Sequence, residues 1–155
     1  MSFYLSEEEL EKLLYKFHQT IYCFEKFETD KYGYTWQELY LIKLVVDYPQ
    51  YKMRELAEKL HVPIFQLTRL VSKLESKKIL VKTHKQNDNK SIYLKTTQAG
   101  IDLLISTRTR HYKLLKETLK DIDDHSLKTI SRFINSLDVV LMLDELEKGV
   151  NHEES

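Results

Sequence analysis

Residues 35–100 hold two short helical patterns, a third helix with a polar outer side, and a basic hairpin, an order that restricts the fold more than any other feature. Residues 54–60 read RELAEKL, a short helix, and His61-Val62-Pro63 makes a tight turn with proline where the next helix begins. Over residues 64–77, Leu67, Leu70, Val71 and Leu74 recur at helical spacing, which commits one stripe to a core. Gln66, Thr68, Arg69, Ser72 and Lys73 occupy the opposite side. Alternation then predicts two strands, with Ile79, Val81 and Thr83 sharing one face of the first and Ile92 and Leu94 inward on the second. Between them lies the polar tip Lys85-Gln86-Asn87-Asp88-Asn89-Lys90.

Elements in this order spell a winged helix-turn-helix. The polar side of the third helix suits a major groove, and the hairpin suits the neighbouring backbone or minor groove. Formal net charge is zero, which on its own argues against a nucleic-acid partner, but the charge is unevenly spread. Residues 1–49 hold 5 Lys/Arg against 9 Asp/Glu, residues 50–95 hold 11 against 4, and residues 96–155 hold 8 against 11. The positive charge therefore sits in the winged segment, between two acidic arms.

The arms read as long amphipathic helices. Ser6 and Glu9 form a capping box that opens a helix to about Glu28, with Leu10, Leu13, Leu14, Phe17, Ile21, Phe24 and Phe27 along one side. Thr35 and Glu38 repeat the device for a second helix, which Pro49 stops. Thr97 caps a helix to about Lys120, with Ile101, Leu104, Ile105, Tyr112, Leu115 and Leu119 inward. Asp123 or Asp124 caps a last helix in which Leu127, Ile130, Phe133, Ile134, Leu137, Val140 and Leu141 recur, ahead of a polar, frayed tail from Gly149. With only 3 glycines and 2 prolines, the expected fold is mainly α with a small β-hairpin wing. A single domain over residues 1–155 is expected, with a winged lobe at 35–96 and dimerisation helices at 1–34 and 97–150. Three such helices carry more apolar surface than a small lobe can cover. Pairing with a second chain makes a symmetric homodimer; the alternative is a local bundle folded on its own subunit.

No apolar run reaches the length of a membrane span, and the start, MSFYLSEEELEK, is too acidic for a signal peptide, so a cytoplasmic protein is expected. The single cysteine, Cys23, excludes an internal disulfide and fits a reducing compartment. Beside Tyr22 and Phe24 in mid-helix, it reads as a small core residue.

The string RELAEKLHVPIFQLTRLVSKLESKKILVKTHKQNDNKSIYLKTTQAG resembles the MarR family of bacterial transcription regulators, including its staphylococcal accessory-regulator relatives. Arg69, Leu70, Val71, Leu74 and Glu75 match the family's recognition-helix run, Asp88 its wing acid, and Thr97 with Gly100 its turn into the dimer helix. The chain departs from the family in three places. Pro63 replaces the usual side-chain cap, Lys78 replaces a glycine before the first wing strand, and Lys90 replaces the wing arginine. Lysine keeps the charge but loses the planar fork.

The resemblance implies a sequence-specific DNA-binding regulator, a repressor on a palindromic operator, with double-stranded DNA and a second copy as partners. Candidate DNA-binding residues are Ile64, Gln66, Thr68, Arg69, Ser72, Lys73, Lys77, Lys82, Lys85, Asp88 and Lys90, with Lys95 a further phosphate candidate. Glutamine pairs with adenine, arginine with guanine, and an apolar side chain with the thymine methyl. Phe65 is expected to pack against the preceding helix and stays outside this set. Relatives form a cleft for phenolic or aromatic molecules, which makes Tyr15, Tyr22, Trp36 and Tyr40 candidate contacts for a small aromatic effector; an aromatic-rich core is the alternative. Hydroperoxide-sensing relatives place their cysteine near Glu11 of this chain rather than Cys23, so redox response through Cys23 is a minor alternative.

The six histidines, at 18, 61, 84, 111, 125 and 152, form no close metal-ligand pair on one helix face, and no metal or cofactor is expected. No phosphate loop or nucleophile motif occurs, so an enzyme is not expected. The rival from another class is a winged-helix protein-interaction module without operator binding.

Overall fold

A computed structural model describes residues 4–140. Ser6 Oγ accepts the Glu9 N–H at 3.3 Å while the Glu9 carboxylate accepts the Ser6 N–H at 2.8 Å, closing the capping box that starts α1 (Glu7–Tyr32). The helix runs past the expected Glu28 and stops at Gly33, whose φ of 80° is the left-handed conformation that ends helices cheaply only in glycine. Thr35 and Glu38 close the second box, at 2.9 and 3.1 Å, and start α2 (Trp36–Asp47), which ends ahead of Pro49. Next come α3 (Met53–Leu60), a left-handed turn at His61, and α4 (Ile64–Ser76). Pro63 gives α4 no side-chain cap, but its carbonyl accepts the Gln66 N–H at 3.0 Å.

Leu41, Ile42, Leu44 and Val45 of α2, Leu56, Ala57 and Leu60 of α3, and Leu67, Val71 and Leu74 of α4 form one buried cluster. Leu70, Leu103 and Leu104 pack at its edge through partly buried side chains. The apolar stripe of α4 is thus spent as its spacing requires, which leaves the other side of that helix to solvent.

Two antiparallel strands follow, β1 (Leu80–Lys85) and β2 (Asp88–Thr96), with Leu80 opposite Thr96 and Lys82 opposite Leu94. Leu94 is buried as expected, on the same face as Leu80, and Tyr93 is buried on the opposite face, whereas Val81 and Ile92 are exposed, so the first strand turns Leu80 rather than Val81 inward. The cause lies one step earlier: Lys78 takes a φ of 58°, so Ile79 belongs to the turn and the alternation begins at Leu80. Lys78 therefore adopts the left-handed backbone that its missing glycine would have favoured. The strands also reach further than the sequence suggests, leaving Gln86 and Asn87 as the tip, and Lys52 bridges to Tyr93 on the hairpin's outer edge.

The turn into α5 (Gln98–Leu119) is tight. Thr97 Oγ1 donates to the Lys78 carbonyl at 2.7 Å and accepts the Gly100 N–H at 3.2 Å, the expected cap. A Cβ at Gly100 would stand 2.5 Å from Thr96 Cγ2 and 2.8 Å from the Ile79 carbonyl oxygen. Gly100→Ala should therefore cost about 1–3 kcal/mol despite alanine's better helix propensity, read as a lower urea midpoint at unchanged slope.

The chain divides into two compact units between Arg108 and Thr109, within α5. In the second unit, Asp123 Oδ1 accepts the Ser126 N–H at 3.0 Å and caps α6 (Asp124–Asn135). The expected continuous last helix is broken at Ser136 and resumes as α7 (Leu137–Val140), where φ and ψ of −109° and 9° at Ser136 leave the helical basin. Leu141 and the tail from Gly149 lie outside the described residues. Ile105, Tyr112 and Leu115, expected inward, are exposed within the single chain, as are Ile130, Phe133 and Ile134. Among the described residues no helix is long and apolar enough to cross a membrane.

Candidate nucleic-acid interface

Residues on α4 succeed one another at about 100° around its axis. With Leu67, Val71 and Leu74 in the core, Phe65, Arg69 and Ser72 fall at the centre of the outer side, and all three are exposed. Thr68 is exposed on one flank, its hydroxyl donating to the Ile64 carbonyl at 2.9 Å, and Ile64 is exposed at the helix start. Gln66 and Lys73 lie on the flank that faces α2. Phe65 corrects the expectation that it packs inward: it is 59% exposed, with the Arg69 guanidinium 5.6 Å from its ring centre. The two stand one helical turn apart, a spacing visible in the sequence, which brings the guanidinium beside the ring.

The basic candidates do not form one free set. Lys73 Nζ lies 2.5 Å from Oε1 of Glu38, a carboxylate only 1% exposed. Lys82 pairs with Glu75 at 3.0 Å, Lys77 donates to the Gly33 carbonyl at 2.7 Å over the Tyr34 ring, and Lys85 sits 4.3 Å above the ring centre of Tyr93. Lys90 and Lys95 are exposed on β2. The wing acid, Asp88, turns inward to the hairpin instead of outward. Its carboxylate accepts the N–H groups of Lys90 and Ser91 at 3.2 and 3.0 Å and the Tyr93 hydroxyl at 3.3 Å, and it pairs with Lys52 at 3.3 Å. Hydrogen bonds from Ser91, with Lys52 adding to them, hold the Asp88 carboxyl well below the usual carboxylate range. A depressed carboxyl stabilises the fold above its unfolded pKa, so this anchor persists into acid and is lost only as pH falls through the lowered value. Lys52, at the start of α3, escaped the sequence reading because its link to the wing spans distant positions.

No protein-family model matches the sequence, and no curated protein does. Solved structures match almost all of it. FabT of Streptococcus pneumoniae, in complex with DNA, is 14% identical with a TM-score of 0.73, over 91% of this chain and 99% of that one. A MarR family protein from Bacillus stearothermophilus is 16% identical with a TM-score of 0.71, over 89% and 99%. The transcriptional regulator BldR of Sulfolobus solfataricus is 18% identical with a TM-score of 0.63, over 89% and 99%. The chain has the MarR-family fold. At such identities the likeness is one of architecture: winged lobe, hairpin and flanking helices.

Within this MarR-like winged lobe a cleft of about 670 Å³ opens beside α4. Trp36, Gln37, Glu38 and Tyr40 of α2 line it together with Gln66, Arg69, Leu70 and Lys73 of α4. Two of the four aromatic candidates, Trp36 and Tyr40, are thus brought to one cavity. Tyr15 and Tyr22 are not among its walls and stand 70% and 61% exposed on α1. Cys23 is also exposed, contrary to the expected core position, with Gln19 Nε2 3.4 Å from its sulfur. Of the described residues of α1 only Glu28 is buried, so apolar spacing there marks a face that a single chain leaves uncovered.

Proposed function

We propose that this protein is a sequence-specific DNA-binding transcription regulator, a cytoplasmic repressor that holds a palindromic operator as a homodimer. The observation that carries the reading is the exposed outer face of α4, Phe65, Arg69 and Ser72, standing beside a basic hairpin in a fold shared with a protein solved in complex with DNA. A second copy would cover Leu10, Leu13, Leu14 and Ile21 of α1 and Ile130, Phe133 and Ile134 of α6. Two-fold symmetry then sets two recognition helices about 34 Å apart, one turn of duplex. Arg69 reads guanine, Ile64 and Phe65 offer apolar contact to a thymine methyl, and Lys90 and Lys95 position the backbone.

Reading and positioning separate experimentally. Arg69→Ala should lose about 1–3 kcal/mol on a duplex selected from a randomised pool and relax one base preference, with less effect on a scrambled duplex. Lys90→Ala should weaken both duplexes alike and flatten the salt slope by about one. Equal losses on both duplexes for Arg69→Ala would refute its base-reading role.

Release by a small aromatic ligand is the second part of the proposal, supported by Trp36 and Tyr40 in the cleft that also reaches Arg69. Such a ligand works only through unequal affinity for the free and DNA-bound protein. Quenching of Trp36, the single tryptophan, should therefore yield different ligand affinities with and without operator; identical affinities would leave a passive pocket.

A further inference from the structure

We infer that Gln37, in the first turn of α2, determines base preference by acting through Gln66 of the recognition helix; this deepens the DNA-binding reading and rests on it. Gln66 Nε2 donates to Gln37 Oε1 at 3.1 Å, between partly buried side chains 29 positions apart in the chain. The backbone that carries the acceptor is itself fixed. The Thr35–Glu38 capping box sets the backbone around Gln37, and the adjacent Glu38 is tied to Lys73 on the same flank of α4. Two side-chain links thus join consecutive residues of α2 to the flank of the reading helix.

The chemistry of the tether selects a base. A glutamine amide carries one acceptor oxygen and two N–H donors. With one N–H committed to Gln37, an oxygen and an N–H remain side by side. That pair matches the adenine edge, accepting from N6 and donating to N7. Guanine offers two acceptors there, O6 and N7, and meets the amide oxygen with repulsion. An untethered glutamine turns its amide either way round and loses much side-chain freedom on binding; Gln37 removes that freedom beforehand. Gln37 is therefore a positioning residue, and its loss should alter selectivity before it alters affinity.

The test uses the full-length protein, a duplex it selects from a randomised pool, and the set of single base-pair variants of that duplex. Gln66→Ala should lower the preference for one A·T pair about 5- to 100-fold. Gln37→Met, of similar shape but without an acceptor, should lower the preference at that same pair about 2- to 10-fold and leave other positions unchanged. Gln37→Glu keeps the acceptor and should keep the preference, while its negative charge weakens every duplex evenly. The double variant Gln37→Met with Gln66→Ala should be no less selective than Gln66→Ala alone, because both act through one amide. Thermal unfolding of each variant guards against a folding defect, and Gln37→Glu provides the rescue that a merely structural bond would not produce at one base pair. Preference retained in Gln37→Met, or lost evenly across positions, overturns the inference while Arg69-dependent operator binding stands. Preference unmoved by Gln66→Ala overturns it equally. A pool from which wild type enriches no sequence overturns the DNA-binding reading itself.

Discussion

Lys73→Met is expected to destabilise the winged lobe by about 3 kcal/mol, the lower end of the range for breaking a buried ion pair. Glu38 is buried beside the cluster formed by α2, α3 and α4, and the Lys73 ammonium at 2.5 Å is the cation that neutralises its Oε1. Removing the lysine leaves a carboxylate with a desolvation cost and no counter-charge. Lys73 is half exposed, so water reaches part of the gap, which is why the lower end applies. The double variant Glu38→Gln with Lys73→Met should recover most of the loss, since the amide oxygen still accepts the Thr35 N–H without needing a cation. Urea unfolding followed by helix signal measures all three proteins. The consequence for DNA is equally specific: a lysine already committed to Glu38 adds little to the salt slope, in contrast to Lys90. A Lys73→Met protein as stable as wild type, but with a shallower salt slope, would return Lys73 to the phosphate contacts.

Leu14→Glu should convert the proposed dimer to monomer at micromolar concentration. Leu14 is exposed in the single chain, so the substitution leaves the winged lobe intact, yet a symmetric interface would bury the new charge twice. A loss of roughly 100-fold or more in self-association is expected, and operator affinity should fall by about 100-fold or more because the second half-site no longer binds as an intramolecular event. Sedimentation velocity reads the first effect and duplex titration the second. An unchanged dimer would place the interface elsewhere; a monomeric wild type would remove the dimer from the account.

Local chemistry was legible where it is written in nearby residues. The pairs Ser6 and Glu9, Thr35 and Glu38, and the cap at Asp123 all close as their spacing demands, and the stripe Leu67, Val71, Leu74 is buried. The hairpin was half legible. Alternation located both strands and the inward Leu94, but a lysine with positive φ at position 78 puts Ile79 in the turn and Leu80 rather than Val81 inward, and no residue type announces that conformation as glycine would. Apolar periodicity in α1 and α6 was correctly seen and cannot by itself say whether a side chain faces its own lobe or a second copy; Cys23 was misplaced for this reason. The site shows the same division. Arg69 and Ser72 follow from the helical wheel, and so does the outward place of Phe65 opposite Leu67, against which stands only the habit of aromatics to bury. Glu38 with Lys73, Gln37 with Gln66, and Lys52 with Asp88 join residues far apart in the chain, and no pattern of spacing contains them.

The outer face of α4, presented twice by a symmetric dimer, is the surface proposed to read DNA sequence. Titration of a pool-selected palindromic duplex and its scrambled counterpart, at matched salt and with stoichiometry measured, tests it most directly. One dimer per duplex, bound at least about 1,000-fold more tightly to the selected sequence, is the predicted result. Equal affinity for the two duplexes, or one monomer bound as tightly as the dimer, would contradict it.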